Sequence, residues 1–184
     1  MRKLAFPFLF LLAFCAPAMA GNISIPQTAL PEAITFQGVT MHKADEQAAN
    51  GTFITEYIPK GETLKHWTHL FAVRREASKL TPKERAAGFA AYLKKLNSQF
   101  RSQVLFDKKT GNTGIDFLIW PKDDSFGEFN TWKYMQGEPG WLYSFQYGVR
   151  GYTDTPSYDE LEHFMKKKQG AVFEMMRFEL PSSM

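Results

Sequence analysis

Apolar and polar residues alternate with a period of two through the first half of the chain, then give way to a helical period at two places. Ile34 and Phe36, then Val39 and Met41, alternate with polar residues, and the phase switches at Gly38, the pattern of a strand carrying a bulge. From Thr52 to Ile58 both faces carry apolar residues, Phe53 and Tyr57 on one and Ile54 and Ile58 on the other. Pro59-Lys60-Gly61 then supplies a turn, so this segment reads as a central strand. Trp67, His69, Phe71 and Val73 fall on one face of a third strand, with Thr68, Leu70, Ala72 and Arg74 on the other.

Thr81-Pro82-Lys83-Glu84 combines a capping hydroxyl, a proline in the first turn and a reciprocal glutamate. With Ala86, Phe89, Ala90, Leu93 and Leu96 at helical spacing, it predicts a helix from Pro82 to Gln99. Val104 to Phe106 and Ile115 to Trp120 are short apolar runs around a loop containing Gly111-Asn112. Phe126 to Met135 and Trp141 to Tyr152 flank Gln136 to Gly140 as a second hairpin. Ser157 to Glu160 offers another capping box, and Leu161, Phe164, Met165, Val172 and Met176 continue at helical spacing; beyond Gly170 a helix and a last strand both fit. Hairpins dominate over crossovers, which predicts an α+β fold: an antiparallel sheet of about six to seven strands packed against two amphipathic helices. That order is similar to the topology of PsbP/Mog1-like folds.

The N-terminus changes the picture of where this fold is used. Arg2 and Lys3 precede an apolar run from Leu4 to Phe14, and Ala18-Met19-Ala20 provides the small residues a signal peptidase accepts. We therefore expect residues 1–20 to be a cleaved signal peptide, 21–31 an extended leader and 32–184 a single domain, exported to the periplasm or beyond the cell. The apolar run is too short to span a bilayer, and Cys15 lies inside it after Phe14, which argues against a lipid anchor. Cleavage removes the only cysteine and two of the 22 basic residues, leaving 164 residues and a formal charge of +1 against the 19 acidic ones. Thiol and disulfide chemistry are thereby excluded from the mature chain, and the scattered lysines do not form the basic patch of a nucleic-acid binder.

A second resemblance rests on Thr55-Glu56-Tyr57-Ile58-Pro59-Lys60-Gly61-Glu62-Thr63-Leu64 and the following Trp67-Thr68. This segment is similar to one in small uncharacterised exported bacterial proteins, in which an EYxPxGE stretch is followed closely by tryptophan. The resemblance implies a bacterial envelope setting and no catalytic assignment.

No pattern of catalytic residues stands out. His42, His66, His69 and His163 show no metal-ligand spacing, no G-x-S-x-G is present, and the glycine pairs in loops do not open helices, so neither a metal nor a nucleotide cofactor is expected. Glu56, Asp116, Asp123, Asp124 and Glu128 are carboxylates that neighbouring strands could bring together, with His69, as an acid-base site of a small hydrolase. Asn22-Ile23-Ser24 and Asn50-Gly51-Thr52 fit a glycosylation sequon, which matters only in a eukaryotic secretory pathway. The aromatic stripe Trp141, Tyr143, Phe145, Tyr147 and Val149 occupies one strand face, with Trp132 and Tyr134 as hairpin neighbours. Trp132, Tyr134, Trp141 and Tyr143 are thus the candidate ligand contacts, unless the stripe simply packs under the helices. Ser144, Gln146 and Arg150 read as its solvated reverse face. The expectation is a non-catalytic binding or accessory protein taking an envelope protein partner or a hydrophobic or peptidic ligand.

Overall fold

The computed structural model describes residues 30–96 and 101–180. β1 (Ala33–Phe36), β2 (Val39–Ala49), β3 (Thr52–Pro59) and β4 (His69–Ala77) form one meander, and α1 (Pro82–Leu96) follows. β5 (Ser102–Phe106), β6 (Thr113–Ile119), β7 (Phe126–Gln136) and β8 (Trp141–Tyr152) form a second, followed by α2 (Pro156–Met165) and α3 (Lys168–Arg177). β8 pairs with β4, so both meanders fuse into one antiparallel sheet of order β1-β2-β3-β4-β8-β7-β6-β5. The α+β class is as expected, but the described residues form a sheet of eight strands where six to seven were anticipated, and three helices where two were.

The additional strand comes from a misread reversal. Gln37 and Gly38 both have positive φ, 51° and 75°, which is a two-residue turn whose twist suits a hairpin. The phase switch at Gly38 is therefore a chain reversal between β1 and β2 and not a bulge. Asn50 and Gly51, at 52° and 74°, make the same turn between β2 and β3. A register shift does occur, but within β2, between Lys43 and Asp45.

α1 opens as the capping box predicts: Glu84 N–H donates to Thr81 Oγ1 at 3.2 Å, and Thr81 N–H donates to Glu84 Oε2 at 2.8 Å. α2 does not. It is entered from the extended backbone of Thr155 with Pro156 in its first turn, and Ser157 Oγ accepts from Tyr152 N–H at 3.0 Å instead of capping the helix. The long helical pattern after Leu161 breaks near Lys166 and Lys167, and α3 runs through Gly170, which resolves that segment as helix. The expected signal peptide, the leader up to residue 29 and the anticipated helix end at Gln99 lie outside the described residues.

Alternation along each strand gives the sheet two differently used faces. α2 and α3 cover a face whose core is Ile34, Phe36, Met41, Tyr57, Phe71, Val73, Phe129, Phe145, Tyr147 and Val149. Phe178, just past α3, packs against Phe71 at 4.8 Å and Phe145 at 5.2 Å. Burying each such aromatic contributes about 1.5–3 kcal/mol. Gly151 lets α2 lie directly on β8: a Cβ there would come within 2.6 Å of Ser157 O and 2.9 Å of Leu161 Cβ. α1 covers part of the opposite face with Ala86, Phe89 and Leu93, against Ile115, Phe117, Trp132 and Tyr134.

Candidate functional site

The two neighbouring arginines of β4 point to opposite faces of the sheet, and each lies over a tryptophan. Arg75 stacks on Trp141 at 4.3 Å on the α2/α3 side, and Arg74 stacks on Trp132 at 4.4 Å on the α1 side. A third stack places the Arg150 guanidinium 4.0 Å from the Trp67 ring and 4.3 Å from Phe126. Cation–π contacts of this kind contribute about 0.5–2 kcal/mol each. Arg74 and Arg75 are each only 9% exposed.

Around Arg74 the α1 side of the sheet is polar and nearly closed to solvent. Across the strands, Arg74 pairs with Ser144 and Ser144 with Tyr134, while Ala72 pairs with Gln146 and Gln146 with Trp132. Adjacent strands are about 4.8 Å apart, so these two rows set the groups within about 10 Å of one another. Gln146 is 8% exposed and Ser144 6%, which corrects the expectation that this reverse face is solvated. It is buried because β8 is a central strand, with β4 on one side and β7 on the other.

A directional hydrogen-bond chain runs through this face. Arg150 Nε and Nη2 donate to Glu128 Oε2 at 2.9 and 2.5 Å, Asn130 Nδ2 donates to Glu128 Oε1 at 2.7 Å, and Gln146 Nε2 donates to Asn130 Oδ1 at 2.7 Å. Because an ionised carboxylate only accepts, Glu128 fixes the orientation of Asn130, which in turn fixes that of Gln146. The chain ends on Gln146 Oε1, which accepts nothing. On the same face Arg74 Nε and Nη1, Trp132 Nε1 and the Tyr134 hydroxyl also lack partners and are sealed from solvent. Burial pushes Arg74 down to about 10 and pushes the Tyr134 phenol well up, with Arg85 and Arg74 opposing the latter shift. The remaining charges nearby are matched: Arg85 of α1 donates from Nε and Nη2 to the two oxygens of Glu76 at 2.7 and 3.3 Å.

Two further groups border this face. Glu56, half-buried on β3, acts electrostatically on Arg74, and burial pushes its carboxyl up, assisted by Asp45 and opposed by Arg74. Asp45 is its cross-strand partner on β2, which sets their Cβ atoms about 4.5–5.5 Å apart. The other carboxylates raised by sequence disperse. Asp116 pairs with Lys168 at 2.7 Å under α3, Glu128 is neutralised by Arg150, and Asp123 and Asp124 lie in the exposed β6–β7 turn. His69 Nδ1 meets the Tyr147 hydroxyl at 2.9 Å and not a carboxylate.

The EYIPKGETLKHWT segment fastens one end of the polar face. Glu62 accepts from Thr68 N–H at 2.8 Å and from its hydroxyl at 2.6 Å, and Thr63 and His66 exchange backbone hydrogen bonds. Trp67 N–H donates to the Tyr152 hydroxyl at 3.0 Å, and that hydroxyl donates back to Trp67 O at 3.2 Å. Trp67 thus precedes β4 instead of joining it, and its ring lies over Gly148, where a Cβ would be 3.0 Å from the indole. Surface depressions beside Lys60 to Lys65 and between Thr153 and Asp159 do not touch the Arg74 cluster.

Of the sequence candidates, Trp132 and Tyr134 lie together beneath α1, whereas Trp141 and Tyr143 lie on the opposite face with Phe53 and Arg75. The stripe on β8 has Phe129, Thr131, Lys133 and Met135 as its hairpin neighbours on its own face. Sequence reasoning missed Arg74, Gln146 and Asn130 as members of one cluster. The available signal was the apolar character of β4 on both sides of Arg74, which marks a central strand.

A protein-family model matches residues 28–180. The chain belongs to that family, which is uncharacterised. The match takes in all eight strands and all three helices, so the family corresponds to the whole fold and not to one fragment of it. No curated protein matches the chain. Among the described residues, no helix is long and apolar enough to cross a membrane, and no three His, Cys, Asp or Glu side chains are grouped to hold a metal ion.

Proposed function

We propose that this protein is an exported, non-catalytic binding protein of the bacterial envelope, and that the cluster around Arg74, Trp132, Tyr134 and Gln146 is where it takes its ligand. The observation that carries this reading is a buried guanidinium with two unpartnered nitrogens, beside an unpartnered indole N–H and phenol. Buried polar groups are ordinarily satisfied, and an unmatched charge costs several kcal/mol, so a fold retains such a set where something else completes it. Phe89 of α1 lies 4.8 Å from the Trp132 ring, so α1 covers this part of the cluster. Export rests on the charge, apolar run and small residues of positions 1–20, and the EYIPKGE segment supports the same setting.

Native mass spectrometry of the protein purified from the compartment to which its host exports it tests this reading. A discrete mass lost on denaturation is expected; a bare chain under conditions that preserve weak complexes counts against it.

The hydrolase reading has one observation in its favour, the Asp45–Glu56 pair, in which the raised Glu56 carboxyl would serve as the acid. It predicts turnover in a broad hydrolase screen that disappears in Glu56→Gln.

A further inference from the structure

The charge balance of the Arg74 cluster narrows the class of ligand, an inference that rests on the binding reading above. Arg85 is neutralised by Glu76 and Arg150 by Glu128, each through paired N–H contacts. Arg74 alone among the three has buried guanidinium nitrogens, Nε and Nη1, without partners, and Glu56 on β3 is the carboxylate that acts on it most strongly. The unmatched groups are mainly donors: Arg74 Nε–H and Nη1–H and Trp132 Nε1–H, with the hydroxyls of Tyr134 and its cross-strand neighbour Thr113 able to donate or accept, against the Gln146 Oε1 acceptor. A group rich in acceptors and carrying one negative charge satisfies both requirements. A doubly charged phosphate would exceed the single unmatched cation available.

We infer that the ligand presents a carboxylate, held by Arg74 with the Trp132 indole and the Tyr134 hydroxyl as additional donors. Such charge-assisted bonds in a buried site are stronger than neutral ones. The flat Trp132 ring, 4.4 Å from Arg74 and 4.8 Å from Phe89, reports on occupancy directly.

The test follows the Trp132 indole N–H by NMR in the protein as its host processes it, assigned with Trp132→Phe, during titration with sodium acetate, sodium phosphate and sodium chloride at matched ionic strength. Acetate is expected to shift that resonance saturably, chloride not at all, and phosphate more weakly than acetate. Arg74→Gln should weaken acetate binding by roughly tenfold to a hundredfold, the loss of one charge-assisted hydrogen bond. Tyr134→Phe, which keeps the packing, should weaken it by a smaller factor, so the inference stays testable if Arg74→Gln does not fold. No shift with acetate, an equal shift with chloride, or tighter binding of phosphate overturns the carboxylate assignment. If native mass spectrometry finds an uncharged molecule that moves the same resonance, the carboxylate falls and the binding reading stands. A protein that retains nothing and ignores acetate loses both.

Discussion

The two faces of this sheet solve the same burial problem with different chemistry. Under α2 and α3, β8 contributes Phe145, Tyr147 and Val149 to a core of interlocking rings, where Lys133 donates to Phe178 O at 2.6 Å while the Tyr57 hydroxyl and Asp116 Oδ1 are left without a hydrogen-bond partner. On the α1 side the same strand contributes Ser144, Gln146 and Arg150, and the burial is completed by a hydrogen-bond chain that ends on Gln146 Oε1 without an onward partner. The apolar face is where stability resides. The polar face is where matched and unmatched charges lie side by side, and mutations there should separate structural from functional arginines.

The largest expected effect lies on the apolar face. Phe145 is 2% exposed and touches Phe178, so Phe145→Ala should cost about 3–5 kcal/mol through lost burial and the cavity left behind. Chemical denaturation monitored by tryptophan fluorescence would measure it, and a loss below about 1 kcal/mol would mean that this face is not the main core. Next comes Glu128→Ala on the polar face, which leaves Arg150 and Asn130 without their shared acceptor. With the Glu128 side chain 8% exposed, a loss of about 3 kcal/mol is expected in the same assay.

A smaller, pH-dependent effect comes from His69, at the edge of the aromatic face. Burial holds its imidazole below its ordinary 6.5, with Glu62 and Glu160 opposing the shift, and its Nδ1 meets the Tyr147 hydroxyl. The unfolded chain therefore binds a proton more readily than the native state. This group's contribution to stability is fully present above pH 6.5 and is lost as pH falls from there through the lower native value. Thermal unfolding between about pH 8 and pH 5 should show that decline, and His69→Asn should flatten it.

The aromatic face was legible in the sequence because its signal is local: alternation on β8, the capping box of α1 and the turn glycines each act within a few residues. The strand count failed where a two-residue reversal at Gln37-Gly38 imitates a bulge, since both invert the phase of alternation. The polar face was not legible for a different reason. Ser144, Gln146 and Arg150 have the composition of a solvated surface, and only the pairing of β8 with the sequence-distant β4, as of Gln146 with Ala72, buries them. The same long-range pairing separates Trp132 and Tyr134 from Trp141 and Tyr143, which one strand's alternation cannot reveal without the hairpin register.

The smallest effect is the most discriminating. Removing one partner of a matched buried charge is destabilising, whereas replacing an unmatched one with an apolar side chain of similar length removes a desolvation penalty. Arg74 has unpartnered Nε and Nη1 and an aliphatic stem that methionine reproduces, with the Trp132 ring available as a contact for the thioether. Arg74→Met in the ligand-free protein should therefore change stability by between no loss and a gain of about 1 kcal/mol, opposite in sign to Glu128→Ala. Should Arg74→Met instead cost as much as Glu128→Ala, the Arg74–Trp132 stack would be a structural element like the Arg150–Trp67 stack, and the polar face would differ from the aromatic one in composition but not in purpose.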